Sequence, residues 1–125
     1  MSDVVYKFIQ RQDKRILFRT FTDAVSFKDI IASWDYCINE ELLANDVVGC
    51  VSDFRAAQFV SNPRELDQFL AYMDQHDQFR HLRLAVLVDT PDKIVFPMIG
   101  ESKLHNRIIK PFSTEEAALN WVAMI

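Results

Sequence analysis

Two almost unbroken apolar runs constrain this chain most: VVGCVSD at residues 47–53 and LRLAVLVD at residues 82–89. A half-wet strand alternates apolar and polar residues. A continuous run suits a strand covered on both faces, as in a parallel sheet with helices packed on it. The residues after the first run fit that picture. Asn62 can cap a helix, Pro63 suits its first position, and Glu65 sits at the reciprocal capping position. Leu66, Phe69, Leu70 and Met73 then supply a helical core stripe. Neither run approaches the ~18 residues of a membrane span.

The remaining elements order themselves around these runs. Residues 4–11 and 15–21 are β-rich and separated by Gln12-Asp13-Lys14, which reads as a hairpin. From Ser26 the period changes. Phe27, Ile30, Ile31, Trp34, Ile38 and Leu42 mark one face of a helix spanning about 26–43. After the second run, Pro91 opens a helical segment that Pro97 and Gly100 interrupt. RIIKPF at 107–112 reads as a last strand. Ser113 and Glu116 form a capping box for a closing helix that turns Ala117, Ala118, Trp121, Val122 and Ile125 inward. The string β-β-α-β-α-β-α-β-α predicts an α/β fold, a single layered domain over residues 1–125. Its sheet is mixed but mostly parallel, with helices packed on it and right-handed crossovers.

A chain of 125 residues can bury one continuous core, and ten phenylalanines against two glycines predict an aromatic interior. The net charge is −4 and the basic residues are scattered among acids, so no nucleic-acid stripe is expected. The opening MSDVVYKF lacks a basic segment followed by an apolar core, which predicts a cytoplasmic protein. Cys37 and Cys50 fall in a predicted helix and a predicted strand and form no CxxC, so both are expected as reduced core thiols. His76 and His81 are five apart, not the i, i+4 of a helical metal pair, and read as turn residues. No GxSxG, P-loop or GxGxxG motif occurs. The expectation is a non-enzymatic module with no cofactor and no metal.

Candidate contact residues lie where strands give way to helices. Asp53, Arg55, Asp89 and Thr90 should gather at the carboxyl edge of the sheet, where open α/β sheets bind ligands. They would form a small polar pocket or a docking edge for a protein partner. Against this stands a structural role for Asp53 and Arg55 as a short-range ion pair. Ser61 adds a hydroxyl beside the second helix start. Ile94, Val95, Phe96, Met98 and Ile99 are apolar around more of a helix than one core face requires. That excess predicts deep burial, a homodimer interface, or cover for a small hydrophobic ligand or lipid.

Two resemblances attach to these residues. Asp53, then Thr90, then Lys110-Pro111-Phe112 resembles the response-regulator receiver, whose phosphorylated acid, switch hydroxyl and lysine come in that order. The receiver's Mg²⁺-binding acidic pair has no counterpart in ILFRTFTD at residues 16–23, so that likeness implies a degenerate receiver. The opening hairpin, VVGCVSDFRAAQF, LAVLVDTPDKI and the ending KPFSTEEAALNWV resemble, across nearly the whole chain, the SpoIIAA-like group that includes STAS domains and shares features with Sec14-type folds. This resemblance implies a regulatory or interaction module. The group's phosphorylatable Asp-Ser-Ser-Gly is replaced by Ser61-Asn62-Pro63-Arg64, which argues against a phosphoserine switch.

Overall fold

The structure, a computed structural model, describes residues 3–60, 63–90 and 108–124. Ser61 and the 94–99 segment therefore lie outside the described residues, as does the helical segment expected after Pro91.

A hairpin of β1 (Asp3–Arg11) and β2 (Lys14–Val25) opens the chain. Then come α1 (Phe27–Asn39), β3 (Val47–Phe59) and α2 (Pro63–Gln75). A short 3₁₀ turn (Asp77–His81) leads into β4 (Arg83–Leu87). β5 (Ile108–Phe112) and α3 (Glu115–Ala123) close the described chain. The sheet runs β1-β2-β3-β4-β5, with β1 antiparallel to β2 and every other pair parallel. Pro111, which cannot donate to a ladder, is accommodated on the outermost of these strands.

Both faces of the sheet are covered, as the continuous runs require. α1 and α2 lie over one face, where Leu17, Phe21, Cys50, Phe54 and Leu84 meet Phe27, Ile30, Trp34 and Met73. α3 covers the other, where Ile16, Phe18, Val51, Ala85 and Leu87 meet Ala118, Leu119 and Val122. Strand order here is sequential. A receiver needs the doubly wound order 2-1-3-4-5, whose reversal creates the crevice in which such sheets bind ligands. Among the described residues the sheet contains no such reversal.

Three local expectations are corrected. The first apolar run does not end at Asp53, because β3 continues to Phe59, with residues 56–59 paired to β2. α1 stops at Asn39 because Glu41 adopts a left-handed conformation with φ 57°. There the Leu42 amide donates to the Cys37 carbonyl at 2.8 Å and the Glu41 amide to that of Ile38 at 3.2 Å. That pair of bonds is a Schellman ending. In α3 the cap is Thr114, whose hydroxyl accepts from the Ala117 amide at 3.2 Å, not Ser113. The start of α1 is a full capping box between Ser26 and Asp29.

A side chain at a left-handed position carries a steric cost that glycine escapes. Glu41→Gly is therefore expected to stabilise the fold by about 0.5–1 kcal/mol, seen as a higher midpoint in urea. A lower midpoint would show that the Glu41 side chain makes a compensating contact.

Candidate functional site

The Asp53-Phe54-Arg55 stretch is a β-bulge. Between Thr20 and Thr22 the partners on β3 advance from Asp53 to Ala56, so β3 carries one extra residue there. The bulge keeps Phe54, Ala57 and Phe59 all on the α1/α2 side. Asp53, only 6% exposed, is gripped by Arg55. The Arg55 guanidinium donates to both Asp53 oxygens, at 3.0 and 2.9 Å, and the Arg55 amide donates to Oδ1 at 3.0 Å. Arg55 also lies 3.6 Å from Glu115 at the start of α3. Its pKa is raised, chiefly by the hydrogen bonds to Asp53, with Glu115 and Asp89 adding their charges. Asp53 and Arg55 are thus brought together, as an ion pair that holds the bulge. Thr90 follows β4 with its hydroxyl buried and without a hydrogen-bond partner among the described residues.

The polar group that sequence reasoning missed is Arg19. Alternation along β2 puts Leu17, Arg19 and Phe21 on the α1/α2 face, and register sets Arg19 between Tyr6 of β1 and Ser52 of β3. Arg19 is 1% exposed, the largest of the fully buried side chains. Nε and Nη2 donate to the Ser52 hydroxyl at 3.2 and 2.6 Å, and Nη1 donates to the Ser33 hydroxyl of α1 at 2.9 Å. Ser33 is in turn hydrogen-bonded to the Tyr6 hydroxyl at 2.8 Å. The guanidinium lies over the Trp34 ring, 3.6 Å from its centroid, with Phe21 at 4.9 Å. No carboxylate pairs with it among the described residues.

Burying a cation costs several kcal/mol unless charge and hydrogen bonds offset it. Two hydroxyls and an aromatic face supply part of that offset. The signal was available in the sequence: ILFRTF lies in a strand that is apolar on both sides of the arginine, so its side chain had no ready route to water.

Arg19 and Ser52 sit in a pocket of about 50 Å³ between the sheet, α1 and α2. The rest of its wall is apolar, half of it aromatic. Phe27 and Trp34 come from α1, Phe54 and Phe59 from β3, and Phe69 and Met73 from α2. The half-buried members of the wall, where it meets solvent, are Phe59, Phe69 and Val86. That volume admits a few waters, or one end of a small organic molecule rather than the whole of it. Cys37 and Cys50 are buried free thiols on the same side of the sheet. Burial pushes the Cys37 pKa up to about 11 and raises that of Cys50, so neither is a nucleophile near neutrality.

The two histidines among the described residues, His76 and His81, do not gather. His81 is exposed, whereas His76 is half-buried, stacked on Tyr72 with Nδ1 2.8 Å from the Tyr72 carbonyl. Among the described residues, no three His, Cys, Asp or Glu side chains are placed to hold a metal ion, and no helix is long and apolar enough to cross a membrane.

No protein-family model matches the sequence, and no curated protein sequence matches it either. Solved structures do. An uncharacterised protein of the DUF3478 family with a SpoIIAA-like fold, from Shewanella loihica PV-4, superposes with a TM-score of 0.70 at 15% identity, covering 98% of this chain and 96% of that one. The anti-sigma factor antagonist SpoIIAA in its unphosphorylated form superposes with a TM-score of 0.55 at 14% identity, covering 97% of this chain and 100% of that one. The fold is therefore SpoIIAA-like, in agreement with the resemblance read from the sequence.

Proposed function

We propose that the chain is a non-enzymatic binding module that takes one end of a small, largely apolar ligand in the pocket between α1, α2 and the sheet. The observation that carries this reading is the buried guanidinium of Arg19 in a largely apolar wall. Small-molecule sites have this composition, an apolar concavity with a few fixed polar groups. Asp53 and Arg55 serve the bulge in this reading, and by keeping Phe54 and Phe59 on one face they shape the pocket wall. The absence of an activated base or nucleophile among the described residues of the pocket wall supports binding over catalysis. Two buried, protonated thiols suit a reducing compartment such as the cytoplasm.

The test is a titration of ¹⁵N-labelled protein with hexan-1-ol, hexanoate and hexylamine, followed through the two indole N–H signals. Trp34 lines the pocket, whereas Trp121 packs with Phe112 beyond the opposite face. A saturable shift of the Trp34 signal, with Trp121 unmoved, is the expected result. Silence of Trp34 toward all three compounds up to ~10 mM, the weak end of specific binding, would overturn the reading.

A further inference from the structure

We infer that the pocket selects a monocarboxylate, a short-chain acyl or small aryl acid whose carboxylate is held by Arg19 and whose apolar body extends past the aromatic rings toward the pocket's opening. The inference rests on the proposed ligand site and assigns its chemistry.

Charge argues first. Arg19 places one full positive charge in a wall whose described residues carry no negative one. In such surroundings an anion gains far more from the cation than it would in water. An amine would bring like charge to like. A neutral ligand would leave the arginine's burial cost as it stands. A phosphate monoester carries closer to two charges and three demanding oxygens, for which one guanidinium and Ser52 are too few partners. A monoanion balances the site.

Hydrogen-bond geometry argues second. A guanidinium has five N–H donors in a planar fork. The bonds to Ser52 and Ser33 engage Nε–H and one hydrogen on each terminal nitrogen. One hydrogen on Nη1 and one on Nη2 remain for a further acceptor, which is the donor count of a bidentate carboxylate contact. The fork is already fixed. Ser33 anchors one arm, Ser52 the other, and the plane rests on Trp34 at 3.6 Å. An acid entering past Phe59 and Phe69 would meet an immobilised donor pair rather than a flexible side chain, so little rotamer entropy is lost on binding. The rings lining the entrance then cover its carbon skeleton.

The same titration decides the matter at pH 7.5, where hexanoate is ionised. Hexanoate is expected to bind at least ~10-fold more tightly than hexan-1-ol, as a charge-assisted bidentate contact requires, and hexylamine is expected not to bind. In Arg19→Met, which keeps an unbranched apolar stem, the alcohol should still shift Trp34 while the preference for the acid disappears. Arg19→Lys keeps the charge without the fork and should retain only part of the preference. Equal affinity of the wild-type protein for acid and alcohol would overturn the carboxylate assignment and leave the ligand site standing. An unchanged acid preference in Arg19→Met would overturn it as well, by placing the selectivity elsewhere. Should Arg19→Met fail to fold, the wild-type comparison and the lysine variant still decide. Silence toward all three compounds would remove site and assignment together.

Discussion

Gly49→Ala is expected to destabilise the protein by about 3 kcal/mol or more, the upper end of overpacking in a core. That loss corresponds to a fall in Tm on the order of 10 °C. Gly49 lies on β3, directly paired with Arg83 of β4 and beneath α3. A β-carbon there would fall inside contact distance of the Arg83 carbonyl oxygen and 2.6 Å from Cγ1 of Val122. The carbonyl belongs to a sheet ladder and has no freedom to retreat. The helix cannot easily lift either, because Arg83 Nη1 donates to the Trp121 carbonyl at 2.8 Å and ties α3 to β4. Adding Val122→Ala to Gly49→Ala should restore part of the loss, since it relieves the helix contact and leaves the carbonyl contact in place. A Gly49→Ala protein that melts with the wild type would show that α3 stands farther from the sheet than these distances require. The position is conformationally ordinary, so the requirement comes from close approach alone.

How far the sequence discloses this molecule depends on whether a residue's role is set by its neighbours in sequence or in space. The apolar runs disclosed the parallel strands because burial on both faces is a property of each run by itself. The hairpin, the Pro63 start of α2 and the inward stripe of α1 were legible for the same reason. The end of α1 was not, because a helical stripe continues through Leu42 while the termination depends on Glu41 accepting a left-handed backbone. The bulge was also hidden. A strand-to-helix junction and a strand carrying one extra residue present the same local string, and only pairing with β2 separates them.

Arg19 is the instructive case. An arginine in a run of Ile, Leu and Phe attracts little notice, since arginines usually reach solvent by extending their stems. What prevents it here is tertiary. Ser52 comes from 33 residues away and Ser33 from 14, and no pattern within β2 announces either. The strand-edge candidates fared in the opposite way. Asp53 and Arg55 flank a single residue and are opposite in charge, and that spacing suffices to pair them. Local proximity in sequence is a better guide to ion pairs that hold a backbone than to groups assembled around a ligand.

Raising the pH above neutrality is expected to destabilise the protein progressively. The ordinary thiol titrates near 8.5 and the folded Cys37 at about 11, because burial penalises the thiolate. Between those values the unfolded chain has released a proton that the folded chain keeps. The folded state then binds more protons, and stability falls as pH rises. The Cys37 contribution is fully present below about 8.5 and lost through about 11, a change on the order of 3 kcal/mol. Cys50, Tyr6 and Tyr72 are all shifted in the same direction, chiefly by burial. For Tyr72 the hydrogen bond it donates to Asp35 at 2.7 Å adds to the effect. Their slopes add to that of Cys37. Chemical denaturation in the presence of a thiol reductant, at pH 7.5, 9, 10 and 11 (steps chosen around the thiol and phenol values), should give a midpoint that drops at each step. Cys37→Ala should begin about 1 kcal/mol less stable at pH 7.5, as a small core truncation does, yet lose less between there and pH 11 than the wild type. If the two slopes coincide, Cys37 does not titrate as a buried group, and the packing of α1 against β2 and β3 would have to be looser than the contacts of Trp34, Arg19 and Ser33 require.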